Sequence, residues 1–195
     1  MEEQAFMEGG IGPPTPGMGS VVWNGRKQDR IFCEGIGKLE DTLRRVGFKG
    51  VVSLDCIITQ DKLYTSEIVC GFKPSFFPFL ELLKDKLADT IYGIATGIAN
   101  KVEVKEGCAA GVTMAVLPFP LPISLDFMKD IYIGGIDEHN IKHLWLDDVC
   151  KREGKYLCGG GSGRLGVITA RWDTPGEHFV REARRRCYRT LANIK

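Results

Sequence analysis

The sequence predicts an α+β fold, in which an antiparallel sheet with helices is followed by a small β-rich unit that a helix closes. Two apolar segments, 50–59 and 63–70, predict neighbouring strands, because only the short polar connection 60–62 separates them. Apolar residues at helical spacing flank this pair of strands. After Lys101 the pattern changes, and most segments are typical of strands.

The first part of the chain predicts a loop, a strand and a helix. Glycine and proline dominate residues 8–19, which favours a loop over a regular element. Residues 21–23 form a short apolar run that is typical of a strand. In residues 35–46 the apolar positions recur at helical spacing, and Gly47 is placed to end that helix.

The rest of the chain predicts further helices and strands. Residues 75–84 and 87–98 have apolar faces at helical spacing. A closing helix is expected after Thr174, with Pro175 in its first turn and Glu177 completing a capping box. Its buried stripe would include Phe179, Ala183 and Cys187. Strands are predicted at 110–117, 130–133, 141–146, 155–158 and 165–172.

The length of 195 residues suits one large domain or two small ones. The change of pattern in residues 101–108 suggests a junction between two small α+β units. We therefore predict one unit over residues 1–104 and a second over residues 105–195.

Charge and cysteine content limit the classes of protein to consider. The net charge is +1, from 26 basic and 25 acidic residues, so the composition favours neither nucleic acid nor a membrane as partner. The seven cysteines include no CxxC pair, which indicates reduced thiols instead of a disulfide framework or a zinc site. We expect a cytoplasmic protein.

Residues 12–19 carry the most specific signal of the sequence. They read Gly-Pro-Pro-Thr-Pro-Gly-Met-Gly and are similar to the loop TGPNTGGMG of phosphoribosylamine–glycine ligase, an ATP-grasp enzyme of purine biosynthesis. In that family the loop lies in the middle of the protein. The resemblance therefore implies that this sequence corresponds to the C-terminal portion of such a ligase. The matching residues are Gly12, Pro13, Thr15, Gly17, Met18 and Gly19.

Other segments resemble the same family in the same order. Residues 48–51 and 57–61 are similar to its YRGVL and MITKDG segments, and residues 78–97 resemble its pair of helices. Residues 159–170 resemble its SGGRVLGVTA segment. The resemblance implies the C-terminal half of an ATP-grasp domain, followed by the small C-terminal domain of the ligase.

The resemblance also implies a substrate site. In the family, the loop that corresponds to residues 12–19 lies beside the substrates. Arg164, which belongs to the second predicted unit, would contact an anionic group. From the residues alone, a flexible entry segment and a surface arginine on a turn remain alternatives. The implied substrate-binding residues are Gly12, Thr15, Gly17, Met18, Gly19 and Arg164.

Asp55 and Glu67 are the candidate metal ligands. ATP-grasp enzymes hold Mg²⁺ with carboxylates on adjacent antiparallel strands, because hard oxygen ligands join the metal to the triphosphate. The separation of Asp55 and Glu67 resembles that pattern, although Val69 stands where the family has asparagine. The family's nearby arginine is also missing. Solvated strand carboxylates are the alternative interpretation of both residues.

By resemblance, the cofactors are ATP and Mg²⁺, and the reaction joins a carboxylate to an amine through an acyl phosphate. An ATP-grasp site is a cleft between two halves, and the ATP-holding parts of the family have no counterpart in this sequence. We therefore expect a fragment or split subunit that is inactive alone and acts on a small molecule with a missing N-terminal half, or self-associates. The alternative is a diverged, non-catalytic remnant that binds a ligand or a partner.

Overall fold

The computed structural model describes residues 1–6, 11–98, 101–117, 119–121, 123, 126–174 and 178–195. It confirms the predicted α+β class. The strands are β1 (Glu2–Ala5), β2 (Pro14–Trp23), β3 (Ser53–Ile58), β4 (Leu63–Val69), β5 (Cys108–Ala115), β6 (Leu144–Leu146), β7 (Val149–Arg152), β8 (Lys155–Cys158) and β9 (Arg164–Trp172). The helices are α1 (Arg30–Glu34), α2 (Glu40–Arg45), α3 (Phe76–Leu82), α4 (Leu87–Thr96) and α5 (Phe179–Leu191).

A five-stranded antiparallel sheet, in the order β1-β2-β5-β9-β6, forms the centre of the fold. Its middle strand, β5, is buried along almost its whole length, because helices pack on both faces of the sheet. Small residues permit this packing: a Cβ at Gly111 would lie 3.0 Å from Pro78 Cδ of α3. On the opposite face, the backbone carbonyl of Ala110 accepts a hydrogen bond from Cys187 Sγ of α5 at 3.4 Å.

Helix α5 closes the fold with the predicted apolar stripe. Ala183 and Cys187, four residues apart, are fully buried against the sheet, and Phe179 packs beside them. The described helix begins at Phe179. Residues 175–177 lie outside the described part of the chain, so the predicted capping box that starts at Thr174 is only partly described.

Strands β3 and β4 form a separate two-stranded hairpin, as predicted from the polar connection between them. Thr59 Oγ1 accepts the Lys62 amide at 3.0 Å and closes the turn. No residue of α1, α2, β3 or β4 is buried. Large apolar side chains on this hairpin are exposed, among them Ile57, Tyr64 and Ile68.

The loop predicted for residues 8–19 is wrong over residues 14–19, where β2 has already begun. Proline fits an extended backbone, and it is tolerated where pairing is irregular. Pro14 lies at such a place, because the register between β1 and β2 shifts between Glu3 and Ala5. Strand β1 was not predicted at all. Residues 7–10 lie outside the described residues.

Three further elements differ from their predictions. The strand expected over 141–146 is a strand only over Leu144–Leu146, because Ile141–His143 form a 3-10 turn. The helix expected over 35–46 is divided: α1 ends before Gly35, a 3-10 turn covers Ile36–Leu39, and α2 follows. Gly35 has φ −112° and ψ −110°, which interrupts the helix. The strand expected over 130–133 is reduced to one bridge, between Tyr132 and Leu157. Strand β7 was not predicted.

The division into units 1–104 and 105–195 stays a prediction. The central sheet takes β1 and β2 from the first range and β5, β6 and β9 from the second. In the described part of the chain, no helix is long and apolar enough to cross a membrane.

Candidate functional site

The hairpin brings the two predicted metal ligands together. Asp55 of β3 and Glu67 of β4 are direct cross-strand partners, so their side chains share one face. Lys73, six residues after Glu67, places its ammonium between them. Lys73 Nζ lies 2.9 Å from Asp55 Oδ2 and 2.7 Å from Glu67 Oε2. Ser53 Oγ donates to the Gly71 carbonyl at 2.9 Å and holds the chain that returns Lys73 to the strands.

This double ion pair keeps Lys73 charged. Two hydrogen bonds raise the pKa of the Lys73 ammonium above its ordinary value. The bond to Glu67 makes the largest contribution, and the bond to Asp55 the next largest. The side chain is 25% exposed, less than either carboxylate, so it lies beneath them instead of extending into solvent. Sequence reasoning missed this residue, although it stands where the family segment has an acidic residue before proline.

The arrangement does not offer a magnesium site as it stands. Mg²⁺ requires several oxygen ligands in near-octahedral geometry. Here a cation of the protein already lies between the two carboxylates, and Val69 supplies no side-chain oxygen. Within the described residues, no group of three or more His, Cys, Asp or Glu side chains could hold a metal ion. Metal binding by Asp55 and Glu67 stays a prediction that would require Lys73 to move.

Residues 12–17 have structural partners at several positions. The Gly12 amide donates to the Phe6 carbonyl at 2.8 Å, which closes the connection between β1 and β2. Thr15 is buried, and its hydroxyl donates to the Pro13 carbonyl at 3.1 Å. The Thr15 side chain is therefore not accessible to a ligand, whereas Pro13 and Pro14 are exposed.

Gly17 connects this segment to the rest of the site. Its φ of +74° favours glycine, and its carbonyl accepts a hydrogen bond from Thr113 Oγ1 of β5 at 2.6 Å. A Cβ at Gly17 would lie 3.7 Å from Pro74, the residue that follows Lys73. Gly17 therefore lies near the carboxylate pair, through the Lys73–Pro74 dipeptide.

Met18 and Gly19 line a cavity of about 640 Å³ between β1, β2, β5 and α5. Met18 is buried, and the walls are mainly apolar, with Phe6 and Tyr188 among them. These two predicted substrate-binding residues therefore face an apolar space, and the structure does not bring them to the carboxylates of the hairpin.

Arg164 begins β9 and lies at the same end of the sheet as Gly17. The register places Arg164 opposite Ala115 of β5. Strand β5 lies between β9 and β2 in the sheet, so β9 and β2 are about 10 Å apart. The guanidinium of Arg164 forms a loose ion pair with Asp147, at 3.6 Å. Arg164 remains partly exposed and is available to a second anion.

The glycine-rich turn that precedes Arg164 is already occupied by a carboxylate of the chain. Asp148 accepts hydrogen bonds from the amides of Gly161 and Gly163, at 2.8 and 3.0 Å. Such converging amides could otherwise bind a phosphate. Asp148 was not identified from the sequence, because its distance from the turn along the chain hides their contact.

A second hydrogen-bonded cluster was also missed. Glu81 of α3 accepts from His143 Nδ1 at 2.8 Å and from Thr169 Oγ1 at 2.6 Å, through the same carboxylate oxygen. Trp145 Nε1 donates to Thr169 Oγ1 at 3.1 Å. Glu81 is only 14% exposed, and Thr169 is buried, so the cluster joins α3 to β9 inside the fold.

Comparison with known structures confirms the predicted resemblance as a similarity of fold. The crystal structure of phosphoribosylamine–glycine ligase from Thermotoga maritima matches the whole chain with a TM-score of 0.71 and 20% identity, over 48% of its own length. Phosphoribosylglycinamide synthetase from Anaerococcus prevotii matches the whole chain with a TM-score of 0.61 and 14% identity, over 47% of its length. N5-carboxyaminoimidazole ribonucleotide synthetase from Thermus thermophilus matches 90% of the chain with a TM-score of 0.53 and 14% identity, over 41% of its length.

The chain therefore spans about half the length of the ligase structures that it matches. It has the ATP-grasp fold of these enzymes over that half. No protein-family model matches the sequence, and no curated protein matches it.

Proposed function

We propose that this chain forms the C-terminal wall of a site like that of phosphoribosylamine–glycine ligase and acts with a second part that supplies the other wall. The observation that carries this proposal is the match of the whole chain to about half of the ligase structure. The positions of Gly17 and Arg164 at one end of the sheet support it further. That end offers backbone and one partly free guanidinium to an anionic small-molecule substrate.

The proposed reaction of the completed protein is ATP-dependent ligation of a carboxylate to an amine. ATP would supply the phosphoryl group that activates the carboxylate as an acyl phosphate, and ADP and phosphate would be released. Within this chain, Arg164 would bind and orient the anionic substrate. Asp55, Glu67 and Lys73 would keep the hairpin in shape next to the substrate segment, because their ion pairs lie beside Pro74.

An activity assay tests this proposal. The chain is mixed with the matching N-terminal part of the Thermotoga maritima ligase, and ADP release with glycine and phosphoribosylamine is measured. We expect activity only from the mixture, and a decrease in kcat/KM of about tenfold or more for Arg164→Gln. Arg181→Gln removes an exposed arginine of α5 and should leave the rate within about twofold. An unchanged rate for Arg164→Gln would remove Arg164 from the site.

A second candidate function is a non-catalytic protein that retains this fold to bind a ligand or a partner. Internal charges favour it: Lys73 neutralises the carboxylates where a metal was predicted, and Asp148 fills the glycine-rich turn. Calorimetric titration with ATP, with and without Mg²⁺, separates the candidates. Magnesium-dependent nucleotide binding to the mixture of both parts supports the ligase, whereas ligand binding without any ADP release supports the second candidate.

The proposal includes a partner, which is the missing half or a second copy of the chain, and a cytoplasmic location. The exposed apolar side chains of the β3–β4 hairpin, such as Ile57 and Tyr64, support an additional covering surface. Light scattering after gel filtration, at several protein concentrations, tests self-association. A constant monomeric mass would leave the missing half as the proposed partner.

A further inference from the structure

The free edge of β9 borders a cavity of about 480 Å³, which we call the edge pocket. Strand β6 pairs with β9 only at residues 166–168. Among the described residues, no strand covers residues 169–172 on that side, and helices α3 and α5 flank the uncovered edge. The pocket is lined by residues that include Glu81, Lys105, His143, Arg171, Arg186 and Arg189.

Positive charge exceeds negative charge in the lining of the edge pocket. Arg171 pairs with Asp173 at 2.7 Å, but Lys105, Arg186 and Arg189 form no ion pair with any described residue. Lys105 Nζ donates only to the Glu81 carbonyl at 3.3 Å, and Arg186 Nη1 only to the Arg171 carbonyl at 2.9 Å. A carbonyl satisfies a hydrogen bond but carries no counter-charge, so an anion can bind these three cations without displacing an ion pair between described residues.

One wall of the edge pocket is held in a defined geometry. Glu81 holds His143 through its Nδ1 atom and also accepts from Thr169, so its carboxylate is fixed within the wall. The lining contains four Lys or Arg side chains and two carboxylates, those of Glu81 and Asp173, so it keeps an excess of positive charge. The opposite wall is fixed as well, because the Arg186 guanidinium lies 4.6 Å from the ring of Trp172. The Arg186 guanidinium is therefore positioned before an anion enters the pocket.

We propose that the edge pocket binds the phosphate group of a small molecule. Three unpaired cations from two parts of the chain, Lys105 before β5 and Arg186 and Arg189 in α5, border one cavity, and a phosphate dianion offers enough acceptor oxygens for all of them. The cavity volume lies in the range of small-molecule sites. The ligand is free phosphate or a phosphate ester, since both present the same group.

The edge pocket is separate from the site proposed above. Arg164 begins β9, and Arg171 lies seven positions later in the same strand, which corresponds to about 23 Å in an extended backbone. Binding at the edge pocket therefore does not rest on the ligase proposal, and either proposal can fail without the other.

Calorimetric titration of the full chain at low ionic strength tests this inference, with inorganic phosphate and glucose 6-phosphate as probes. We expect saturable binding of at least one probe, and a loss of affinity of about tenfold or more in the double variant R186Q/R189Q. The double variant R181Q/R185Q is the matched control. It removes the same charge from exposed positions of the same helix outside the pocket, and should bind within about twofold of the unaltered chain.

The outcomes are distinguishable. Tighter binding of one probe supports the site and identifies the source of the phosphate group, whereas equal binding of both supports a site for the phosphate group that they share. No heat with either probe at millimolar concentration, or an equal loss in the two double variants, overturns it. Loss of binding in Arg164→Gln would also overturn it, because the anion would then belong to the other end of the sheet. The single variant Arg189→Gln, together with thermal unfolding curves, shows that weaker binding does not reflect a misfolded chain.

Discussion

Thr169→Val tests whether the buried cluster around Glu81 holds α3 to the sheet. Valine has nearly the same shape but no hydroxyl, so Glu81 loses one hydrogen bond and the Trp145 indole loses its acceptor. A hydrogen bond to a charged group contributes about 1.5–3 kcal/mol, and an unsatisfied buried donor costs about 1–3 kcal/mol. The extra buried methyl group offsets about 1 kcal/mol. We therefore expect the free energy of unfolding to fall by about 1.5–5 kcal/mol.

Urea unfolding, followed by far-ultraviolet circular dichroism, measures this change. Thr169→Ser keeps the hydroxyl and loses a methyl group, and should cost only about 1 kcal/mol. Thr65→Val makes the same substitution at an exposed position of β4 and should change stability by less than about 0.5 kcal/mol. If Thr169→Val unfolds at the same urea concentration as Thr65→Val, the cluster does not stabilise the fold, and the reasoning from its hydrogen bonds is wrong.

Three further changes test other parts of the structure. Lys73→Met removes the ammonium between the Asp55 and Glu67 carboxylates and should leave a site for a lanthanide ion. We expect sensitised Tb³⁺ luminescence from this variant. The unaltered chain and the control variant Lys62→Met should show none. Burial raises the pKa of the Cys108 thiol to about 11 and that of Cys187 to about 12. The folded chain keeps these protons, while the unfolded chain loses them from about pH 9, so the urea midpoint should fall as the pH rises from 9 to 11. The fall should be smaller in Cys187→Ala, which lacks one of the two thiols. An equal fall in the unaltered chain and in Cys187→Ala would contradict this cause. Gly111→Val should destabilise by about 1–3 kcal/mol or more, because its side chain would meet α3, and an unchanged melting temperature would refute that contact.

Local pattern was sufficient for elements whose partners lie nearby in the chain. The β3–β4 hairpin follows from two apolar runs and the short connection 60–62, because adjacent strands with a short turn have few other ways to pair. The stripe of Ala183 and Cys187 follows from helical periodicity. Both signals are physical consequences of local geometry, and the structure reproduces them.

Where long-range pairing decides the structure, local pattern was not sufficient. Residues 14–19 have the composition of a loop, yet they belong to β2, which pairs with β5 about 90 residues later in the sequence. The same is true of β1, which forms only because β2 offers it an edge. Composition reports the intrinsic preference of a segment, and tertiary pairing can override that preference.

The candidate site shows the same limit, applied to charge. Asp55 and Glu67 were identified as ligands for a cation, and the structure shows that a cation does lie between them, but it is the ammonium of Lys73. The glycine-rich turn was weighed as a place for an anion, and the carboxylate of Asp148 fills it. The residue types that surround a site predict whether that site favours a cation or an anion. Only the folded arrangement reveals whether the chain supplies that charge itself.

This distinction separates the two ends of β9. At the Arg164 end, the guanidinium and the neighbouring turn each have an internal acidic partner, so a ligand there must compete with Asp147. At the other end, Arg186 and Arg189 have no such competitor among the described residues. An anion gains more where it does not have to displace an existing ion pair, because breaking that pair reduces its net binding energy. The edge pocket should therefore bind phosphate more tightly than the Arg164 end does, and R186Q/R189Q should weaken binding more than Arg164→Gln in the same titration.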